Sequence, residues 1–250
     1  MANCIICDKD ISMYLFEKNG YQVVKCLGDG HLYVANPPDI AALSDLYSKE
    51  YFEGTAKVGY RSNVFLNKQK QAQKASRKLA RLQQLNNIRQ VLDVGCGPGY
   101  FVKAAGDAGL DVSGCDISQA AADFAKDELS VDVVVGDFLE FEHTRFFDAI
   151  TMFSYLEHTI DPRAHLDKAY KLLRHDGLLL LSVPNTEGLV RGIMGPRWRG
   201  FSVPEHLHFF NQQNLSKLVR DAGFSDLRSR YVDNNFLRDT VYFYARKKSF

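Results

Sequence analysis

Residues 91–99, Val-Leu-Asp-Val-Gly-Cys-Gly-Pro-Gly, join a short apolar run to three glycines at alternate positions. The apolar part is typical of a buried strand, and Pro98 suits the first turn of a following helix, where an N–H has no intrahelical partner to lose. Because glycine lacks a Cβ, Gly95, Gly97 and Gly99 let the chain turn sharply and present backbone N–H groups to a ligand. The segment therefore predicts a ligand-binding loop between a strand and a helix.

The glycine spacing narrows the choice of ligand. A dinucleotide fold is expected to read Gly-x-Gly-x-x-Gly, whereas this loop reads Gly95-x-Gly97-x-Gly99, with Asp93 inside the strand. The pattern resembles the first motif of the class I S-adenosylmethionine-dependent methyltransferases. That resemblance implies S-adenosylmethionine as the cofactor, and it places Asp93, Gly95, Cys96, Gly97 and Gly99 in the cofactor-binding segment.

Further residues of the same family pattern follow at the ends of later predicted strands. Residues 110–115 predict a second strand that ends at Asp116, where an acid can accept hydrogen bonds from both ribose hydroxyls. Residues 131–135 predict a buried third strand, after which the family places an acid and its neighbour against the adenine. The resemblance thus adds these cofactor-binding residues: Asp116, Ile117, Asp137, Phe138 and, at the end of the fourth strand, Phe153.

The remaining pattern predicts the rest of the sheet. The expected fold is doubly wound α/β, with a seven-stranded, mostly parallel Rossmann-like methyltransferase sheet whose last strand is antiparallel, and a small N-terminal β-ribbon. We expect a zinc-ribbon-like segment and linker at 1–50, and a methyltransferase domain at 51–250 with a lid insertion at about 184–210. The other predicted elements are strands at 147–153, 177–183, 224–231 and 240–246 and a helix at 211–223.

Composition places the chain among ordinary globular proteins. Hydrophobic residues make up 46% of it and charged residues 24%. No apolar run approaches the length of a membrane span, so we expect none. Five cysteines, an odd number, suit a reducing compartment, and we expect a cytoplasmic protein. The sequence leaves the oligomeric state open.

One stretch is strongly basic although the net charge is only +1. Residues 54–92 contain no acid, and part of this stretch, 64–85, has the apolar periodicity of an amphipathic helix. Its basic side chains form either a solvated helix face or an approach for an anionic substrate. They are Lys57, Arg61, Lys68, Lys70, Lys74, Arg77, Lys78, Arg81 and Arg89.

The N-terminal cysteines resemble an incomplete zinc ribbon. Cys4-x-x-Cys7 and Cys26 supply three thiolate ligands, and the fourth position is open to Asp29 or His31. Asp29 stands where a ribbon would have its last cysteine. A metal-free β-ribbon with leftover thiols is the equal alternative.

Two Glu-His pairs are candidates for acid-base work on the methyl acceptor. Glu157-His158 follows the fourth strand and resembles the Glu-His segment of quinone and small-molecule O-methyltransferases; His158 either faces the substrate or braces the loop. Glu205-His206 resembles the pair that carries acid-base work in ribbon-bearing sugar C-methyltransferases. The alternative is that His206 and His208 pin the lid to the next helix. An imidazole beside a carboxylate is a suitable base near neutral pH.

These observations predict a methyltransferase that acts on an oxygen or carbon of a small molecule by in-line displacement with a histidine base. The expected acceptor is a sugar nucleotide, a phenol or a quinone-like ring. If the basic stretch is an approach for the substrate, the expected acceptor is anionic. The alternatives are an rRNA or tRNA base methyltransferase with a zinc ribbon, a non-catalytic cofactor-binding protein, and an NAD-dependent oxidoreductase. The near-neutral net charge disfavours a nucleic-acid partner.

Overall fold

The computed structural model describes residues 3–56, 63–85, 87–231 and 239–248. The strands in these ranges are β1 (Ser12–Lys18), β2 (Tyr21–Cys26), β3 (Leu32–Val34), β4 (Gln90–Val94), β5 (Asp111–Asp116), β6 (Val134–Val135), β7 (Phe147–Phe153), β8 (Leu173–Pro184), β9 (His208–Phe209), β10 (Phe224–Tyr231) and β11 (Thr240–Lys247). The helices are α1 (Ile40–Leu46), α2 (Lys49–Glu53), α3 (Lys68–Gln83), α4 (Tyr100–Asp107), α5 (Gln119–Leu129), α6 (Pro162–Leu172), α7 (Leu189–Met194) and α8 (Gln212–Asp221).

The larger of two sheets has the strand order β10-β11-β8-β7-β4-β5-β6. The strands β4, β5, β6, β7 and β8 pair in parallel, whereas β11 runs antiparallel to both β8 and β10. The predicted fold class, a seven-stranded and mostly parallel doubly wound sheet closed by an antiparallel strand, is confirmed. The strand order changes direction at β4, because β5 pairs on one side of it and β7 on the other, so the carboxyl ends of β4 and β7 border the crevice where α/β sheets of this kind bind ligands.

Alternate residues of the central strands enter two separate apolar cores. Leu92 of β4 and Ile150 of β7 pack on the face covered by α6 and α8. Val91 and Ala149, one position earlier on the same strands, pack on the face covered by α3 and α4. Because side chains alternate across a strand, both faces of the parallel sheet are buried and its strands are apolar throughout.

A smaller antiparallel sheet, of order β1-β2-β3-β9, lies at the N-terminal end of the chain. Its last strand comes from the segment 184–210, since Tyr33 of β3 pairs with His208 of β9. Trp198, Phe201 and Phe209 from that segment share an apolar core with Val23 of β2. The segment predicted as a lid is therefore packed against the N-terminal sheet.

Two strands differ from the sequence prediction. The third strand, expected to be buried over 131–135, consists of β6 alone, and Val134 and Val135 are 52% and 40% exposed. That prediction was wrong because β6 is the edge strand and pairs on one side only, with β5. The fifth strand begins at Leu173, earlier than expected, because α6 passes directly into β8 and Leu173 already pairs with Phe147.

The amphipathic helix expected over 64–85 is α3, which spans Lys68–Gln83 and buries Ala75 and Leu82. Lys57 and Arg61 of the basic stretch lie outside the described residues. Within the described ranges, no helix combines the length and the apolar character needed to cross a bilayer.

Candidate active site

The glycine loop leaves β4 in a conformation that suits glycine. Gly95 and Gly97 have φ values of +67° and +53°, in the left-handed region that L side chains rarely adopt. The backbone N–H groups of Gly95 and Cys96 both donate to the carbonyl of Cys115, at 2.9 and 3.1 Å. A Cβ added to Gly97 would meet only the Phe52 ring, at 3.9 Å. The loop is thus fixed to the end of β5, and the space above Gly97 is open.

Asp116 ends β5 with both carboxylate oxygens held by backbone. Oδ2 accepts from the N–H of Gly97 at 2.7 Å, and Oδ1 accepts from the N–H of Ser118 at 3.0 Å. Burial raises the pKa of Asp116, and these two hydrogen bonds act against that rise. Each carboxylate oxygen has a second lone pair, so Asp116 retains acceptor capacity for a ligand hydroxyl.

A cavity of about 340 Å³ lies at the carboxyl ends of β4, β5 and β7. Its size is within the range of small-molecule sites. Asp116 and the open face of Gly97 form one wall, and residues that follow β6 and β7 form others. The cavity brings together these sequence-predicted site residues: Gly95, Gly97, Asp116, Ile117, Asp137, Phe138 and His158.

The other four predicted cofactor residues do not line the cavity and lie beneath or beside the loop. Asp93 is 4% exposed and accepts a hydrogen bond from Thr151 Oγ1 at 2.5 Å; burial raises its pKa to about 6. Phe153 lies under Lys78, whose Nζ is 4.5 Å from the ring centroid. The last two of the four, Gly99 and Cys96, contact neighbouring elements of the sheet and helices. A Cβ added to Gly99 would lie 3.2 Å from the Cβ of Ala125, and the Cys96 thiol fills the space beside Gly114.

Several cavity residues were missed by sequence reasoning. Tyr47, Tyr51 and Phe52 come from the segment after β3, where the sequence predicts a linker and the start of the methyltransferase domain. Tyr155 lines the cavity as well, and its ring covers Gly95 so closely that an added Cβ would lie 2.4 Å from Cδ2. The sequence feature that could have indicated them is the group of three aromatic residues in and beside α2. No residue of 184–210, all of which the structure describes, lines the cavity.

His158 is the predicted base that faces the cavity. Its Nδ1 lies 2.8 Å from the Tyr47 hydroxyl and 3.0 Å from the carbonyl oxygen of Glu205. Burial and the neighbouring His206 hold the pKa of His158 well below its usual value, so the imidazole is neutral. His158 thus contacts the loop that carries Glu205 and also lies at the cavity wall.

Glu205 and His206 lie behind His158. The rings of His206 and His158 meet edge to face with centroids 4.7 Å apart. The carbonyl of Gly200, 2.7 Å from Nδ1, holds the His206 ring, and burial lowers the pKa of His206 to about 4. The Glu205 carboxylate accepts from Ser202 Oγ at 3.0 Å, and burial raises its pKa to about 7. The orienting partner of His206 is therefore a backbone carbonyl.

The four predicted zinc ligands converge. One ligand atom from each of Cys4, Cys7, Cys26 and Asp29 lies within 4.8 Å of the others. Cys4 Sγ is 3.2 Å from Asp29 Oδ2, and the Cys7 and Cys26 sulfurs are 3.5 Å apart. Burial raises the pKa of the Cys4 thiol.

His31, the other candidate for the fourth position, is engaged elsewhere. It is fully buried, with Nε2 3.2 Å from His208 Nδ1 and Nδ1 3.1 Å from the side-chain nitrogen of Asn214. The two histidines connect the small sheet to α8. Asp29 is thus the residue that completes the cysteine cluster.

A family model described as a methyltransferase domain matches residues 66–229. The chain belongs to this methyltransferase domain family. The family resemblance inferred from the glycine loop is thereby confirmed. Among curated proteins, the methyltransferase domain is similar to the ubiquinone biosynthesis O-methyltransferase of Psychrobacter arcticus, with 32% identity over 154 residues, 55% of this chain and 59% of that protein.

Solved structures support the fold of the methyltransferase domain. It is similar to 1,6-didemethyltoxoflavin-N1-methyltransferase of Burkholderia thailandensis, solved with S-adenosylhomocysteine, at a TM-score of 0.61 and 22% identity over 94% of this chain and 99% of that one. It also resembles a SAM dependent methyltransferase from Archaeoglobus fulgidus, at a TM-score of 0.59 and 18% identity over 78% and 98%. The chain matches between 58% and 66% of the length of the curated relatives of this kind.

Proposed function

We propose that this methyltransferase domain transfers a methyl group from S-adenosylmethionine to an oxygen or carbon of a small molecule. The observation that carries the proposal is one cavity lined by the Gly95–Gly97 loop, by Asp116, by Asp137 and Phe138, and by His158. The family match supports the reaction class, and the O-methyltransferase named among the relatives favours an oxygen acceptor.

The residues present fit the cofactor. When bound, S-adenosylmethionine supplies an electrophilic methyl group on a sulfonium. Asp116 has free lone pairs at the cavity wall and would hold the ribose hydroxyls. Phe138 and Asp137 follow β6 and would flank the adenine, while the open face of Gly97 leaves room for the backbone to approach the ligand.

The rest of the cavity suits a flat, largely apolar acceptor. Leu43, Tyr47, Tyr51 and Ile160 supply its apolar and aromatic lining, and among the described lining residues there is no lysine or arginine. An anionic acceptor such as a sugar nucleotide or RNA would lack a counter-charge here. The lining therefore favours a phenolic or quinone-like acceptor over an anionic one.

A neutral histidine is available to take the acceptor proton. His158 lines the cavity, and its Nδ1 contact with the Glu205 carbonyl orients the ring. His206 supports it from behind. In the simplest form of the mechanism, His158 accepts the hydroxyl proton while the cavity excludes water and aligns the oxygen with the methyl group.

Calorimetric titration with S-adenosylhomocysteine and with NAD tests the proposed cofactor. We expect S-adenosylhomocysteine to bind and NAD to bind more weakly or undetectably. Methyl transfer is then measured on a panel of phenols, dihydroxybenzenes, sugar nucleotides and RNA. Tighter binding of NAD, or binding of S-adenosylhomocysteine with no transfer to any small molecule, contradicts the proposal.

We also propose that Cys4, Cys7, Cys26 and Asp29 hold a zinc ion with a structural role. The convergence of three sulfurs and a carboxylate supports this, since such sets bind Zn²⁺ tetrahedrally. The backbone N–H of Gly28 donates to Cys26 Sγ at 3.2 Å, which positions that sulfur. Without the ion, the Cys4–Cys7 segment would no longer be linked through the metal to Cys26 and Asp29.

A further inference from the structure

Glu157 is a buried carboxyl group that makes no hydrogen bond to another described residue. Its side chain is 1% exposed, and in the described ranges neither Oε1 nor Oε2 has a hydrogen-bond partner on another residue, although the N–H of Glu157 itself favours the ionised form. Burial raises its pKa to about 8. Because buried polar groups are almost always paired, an isolated carboxylate of this kind indicates a ligand that completes it.

Two histidines stand next to this carboxylate. One ligand atom from each of Glu157, His158 and His206 lies within 4.8 Å of the other two. His158 Nε2 is 3.9 Å from Glu157 Oε1. Ligand atoms that share an ion at about 2.1 Å are at most about 4.2 Å apart, so small side-chain adjustments bring these three to one ion.

The hydrogen bonds of both histidines are compatible with a free Nε2. A carbonyl oxygen only accepts, so Nδ1 of His206 carries the hydrogen in its contact with Gly200. Nδ1 of His158 contacts both the Glu205 carbonyl and the Tyr47 hydroxyl, and in the tautomer that binds an ion it donates to the carbonyl. In these tautomers each Nε2 has a lone pair for the ion. A metal-bound histidine is held in this way, with its other ring nitrogen donating to a carbonyl.

We propose that Glu157, His158 and His206 bind a divalent transition-metal cation of the Zn²⁺ and Fe²⁺ class. Two imidazoles and one carboxylate are a donor set that such ions prefer, and three protein ligands leave coordination positions open. Of the three ligands His158 lines the cavity, so the proposed ion would lie beside the cavity wall at His158. The ion supplies the positive charge that the Glu157 carboxylate otherwise lacks.

The charged side chains around the cluster do not supply that charge directly. Lys78 favours the ionised form of Glu157 through space, but its Nζ lies over the Phe153 ring and makes neither a hydrogen bond nor an ion pair with Glu157 in the described structure. Lys18, in β1 of the small sheet, lowers the pKa of both His206 and Glu205 through its charge. Its ammonium group donates a hydrogen bond to the carbonyl of Phe201. Both cations are committed elsewhere.

The use of this ion in catalysis rests on the proposed function. An acceptor hydroxyl bound to the ion has a lowered pKa and releases its proton to solvent. The oxygen then attacks the methyl carbon; the new O–C bond forms as the C–S bond breaks, and the electron pair of the C–S bond stays on sulfur. The products are the methyl ether, S-adenosylhomocysteine and one proton. In this form the histidines hold the ion, which takes over acceptor activation from a free imidazole base.

The test counts Zn²⁺ ions per full-length chain after equilibrium dialysis, by elemental analysis. We expect the Glu157→Gln and His206→Gln variants each to hold one Zn²⁺ ion per chain fewer than the unsubstituted protein. This difference does not depend on whether the cysteine cluster holds a Zn²⁺ ion of its own. Cys7→Ser is the matched control for that cluster and keeps the ion at Glu157. Circular dichroism verifies that each variant is folded. The Cys7→Ser variant must still hold at least one Zn²⁺ ion per chain. Equal Zn²⁺ content in the unsubstituted protein and in both cluster variants overturns the proposal.

Titration with S-adenosylhomocysteine separates this inference from the proposed function. If the Zn²⁺ difference is present and S-adenosylhomocysteine does not bind, the metal site stands and the methyltransferase proposal fails. If S-adenosylhomocysteine binds and the Zn²⁺ difference is absent, the metal site fails alone. With both present, chelation by EDTA should lower methyl transfer at least about tenfold, and added Zn²⁺ should restore it.

Discussion

The backbone N–H of Gly97 donates a 2.7 Å hydrogen bond to Oδ2 of Asp116, which connects the glycine loop to the neighbouring strand. The loop and the carboxylate are the two parts of the proposed cofactor site that come from different strands. Their direct contact holds the loop and the carboxylate at a fixed separation before any ligand binds. The entropy cost of ordering these groups on binding is therefore small.

Asp116→Asn should weaken S-adenosylhomocysteine binding by roughly 10- to 100-fold, because one carboxylate oxygen is replaced by an amide that cannot accept from Gly97 or Ser118 or from a ribose hydroxyl. Calorimetric titration measures the change. Asp127→Asn, on the exposed face of α5, is the matched control and should bind as the unsubstituted protein does. Unchanged affinity of Asp116→Asn would show that this carboxylate does not contact the ligand.

Gly95→Ala should lower the free energy of unfolding by about 1–3 kcal/mol, because Gly95 has φ of +67° and an added Cβ would lie 2.4 Å from Tyr155 Cδ2. Urea denaturation gives the value. Gly109→Ala is the control, since Gly109 also has positive φ but nothing stands within 4 Å of its added Cβ. We expect Gly95→Ala to be the more destabilising; equal losses would mean that Tyr155 moves aside freely.

Asp93 predicts a pH dependence of stability. Its pKa in the folded protein is about 6, above the ordinary value of 3.8, because the carboxyl group is buried. A raised acid pKa stabilises the fold fully below about pH 4, and this contribution is lost as the pH rises through about 6. The free energy of unfolding of the unsubstituted protein minus that of Asp93→Asn should therefore fall by about 2 kcal/mol between pH 4 and pH 8.

Denaturation at both pH values, with Asp132→Asn as an exposed control, checks the Asp93 prediction. The asparagine still accepts from Thr151 Oγ1, so the comparison isolates the charge. A difference between the unsubstituted protein and Asp93→Asn that stays constant from pH 4 to pH 8 would contradict the raised pKa.

Asp29→Cys should bind Zn²⁺ at least about tenfold more tightly than the unsubstituted protein, because it completes a four-sulfur set at a position already 3.2 Å from Cys4 Sγ. Asp29→Asn, of similar volume but without the charge, should bind more weakly. Competition with a chromogenic chelator ranks the three proteins. If none of them retains Zn²⁺, the cluster is a metal-free ribbon.

His158→Gln should lower kcat for methyl transfer by about 10²- to 10⁴-fold, the usual contribution of a group that activates the acceptor. Affinity for S-adenosylhomocysteine should stay within about twofold, because Asp116 and the glycine loop are untouched. Single-turnover kinetics and calorimetry measure the two effects separately. A variant that loses both affinity and rate points to collapse of the loop that His158 braces through Glu205.

Local patterns predicted the centre of the sheet and the loop at its end. The strand, glycines and acid of β4 and β5 lie within one short stretch of chain, so their geometry follows from backbone sterics and strand periodicity. The burial of β6 was predicted wrongly because an apolar run gives no information on whether a strand is central or at an edge.

Residues brought in by long-range packing could not be found in the same way. Tyr47 reaches the cavity because Ser118 Oγ donates to its carbonyl and His158 contacts its hydroxyl, and neither contact has a local signature. The missing partner of Glu157 likewise becomes visible only when every surrounding atom has been placed. The resemblance to known Glu-His segments identified positions of interest but could not tell which nitrogen of each ring is free.

The pairing of β3 with β9 has a consequence for synthesis of the chain. The first three strands leave the ribosome early, yet their hydrogen-bonding edge and the apolar face that receives Trp198 and Phe209 stay uncovered until those distant residues are made. While most of the larger sheet is translated, the edge of β3 and the apolar face of the N-terminal sheet therefore remain available for aggregation or for chaperone binding.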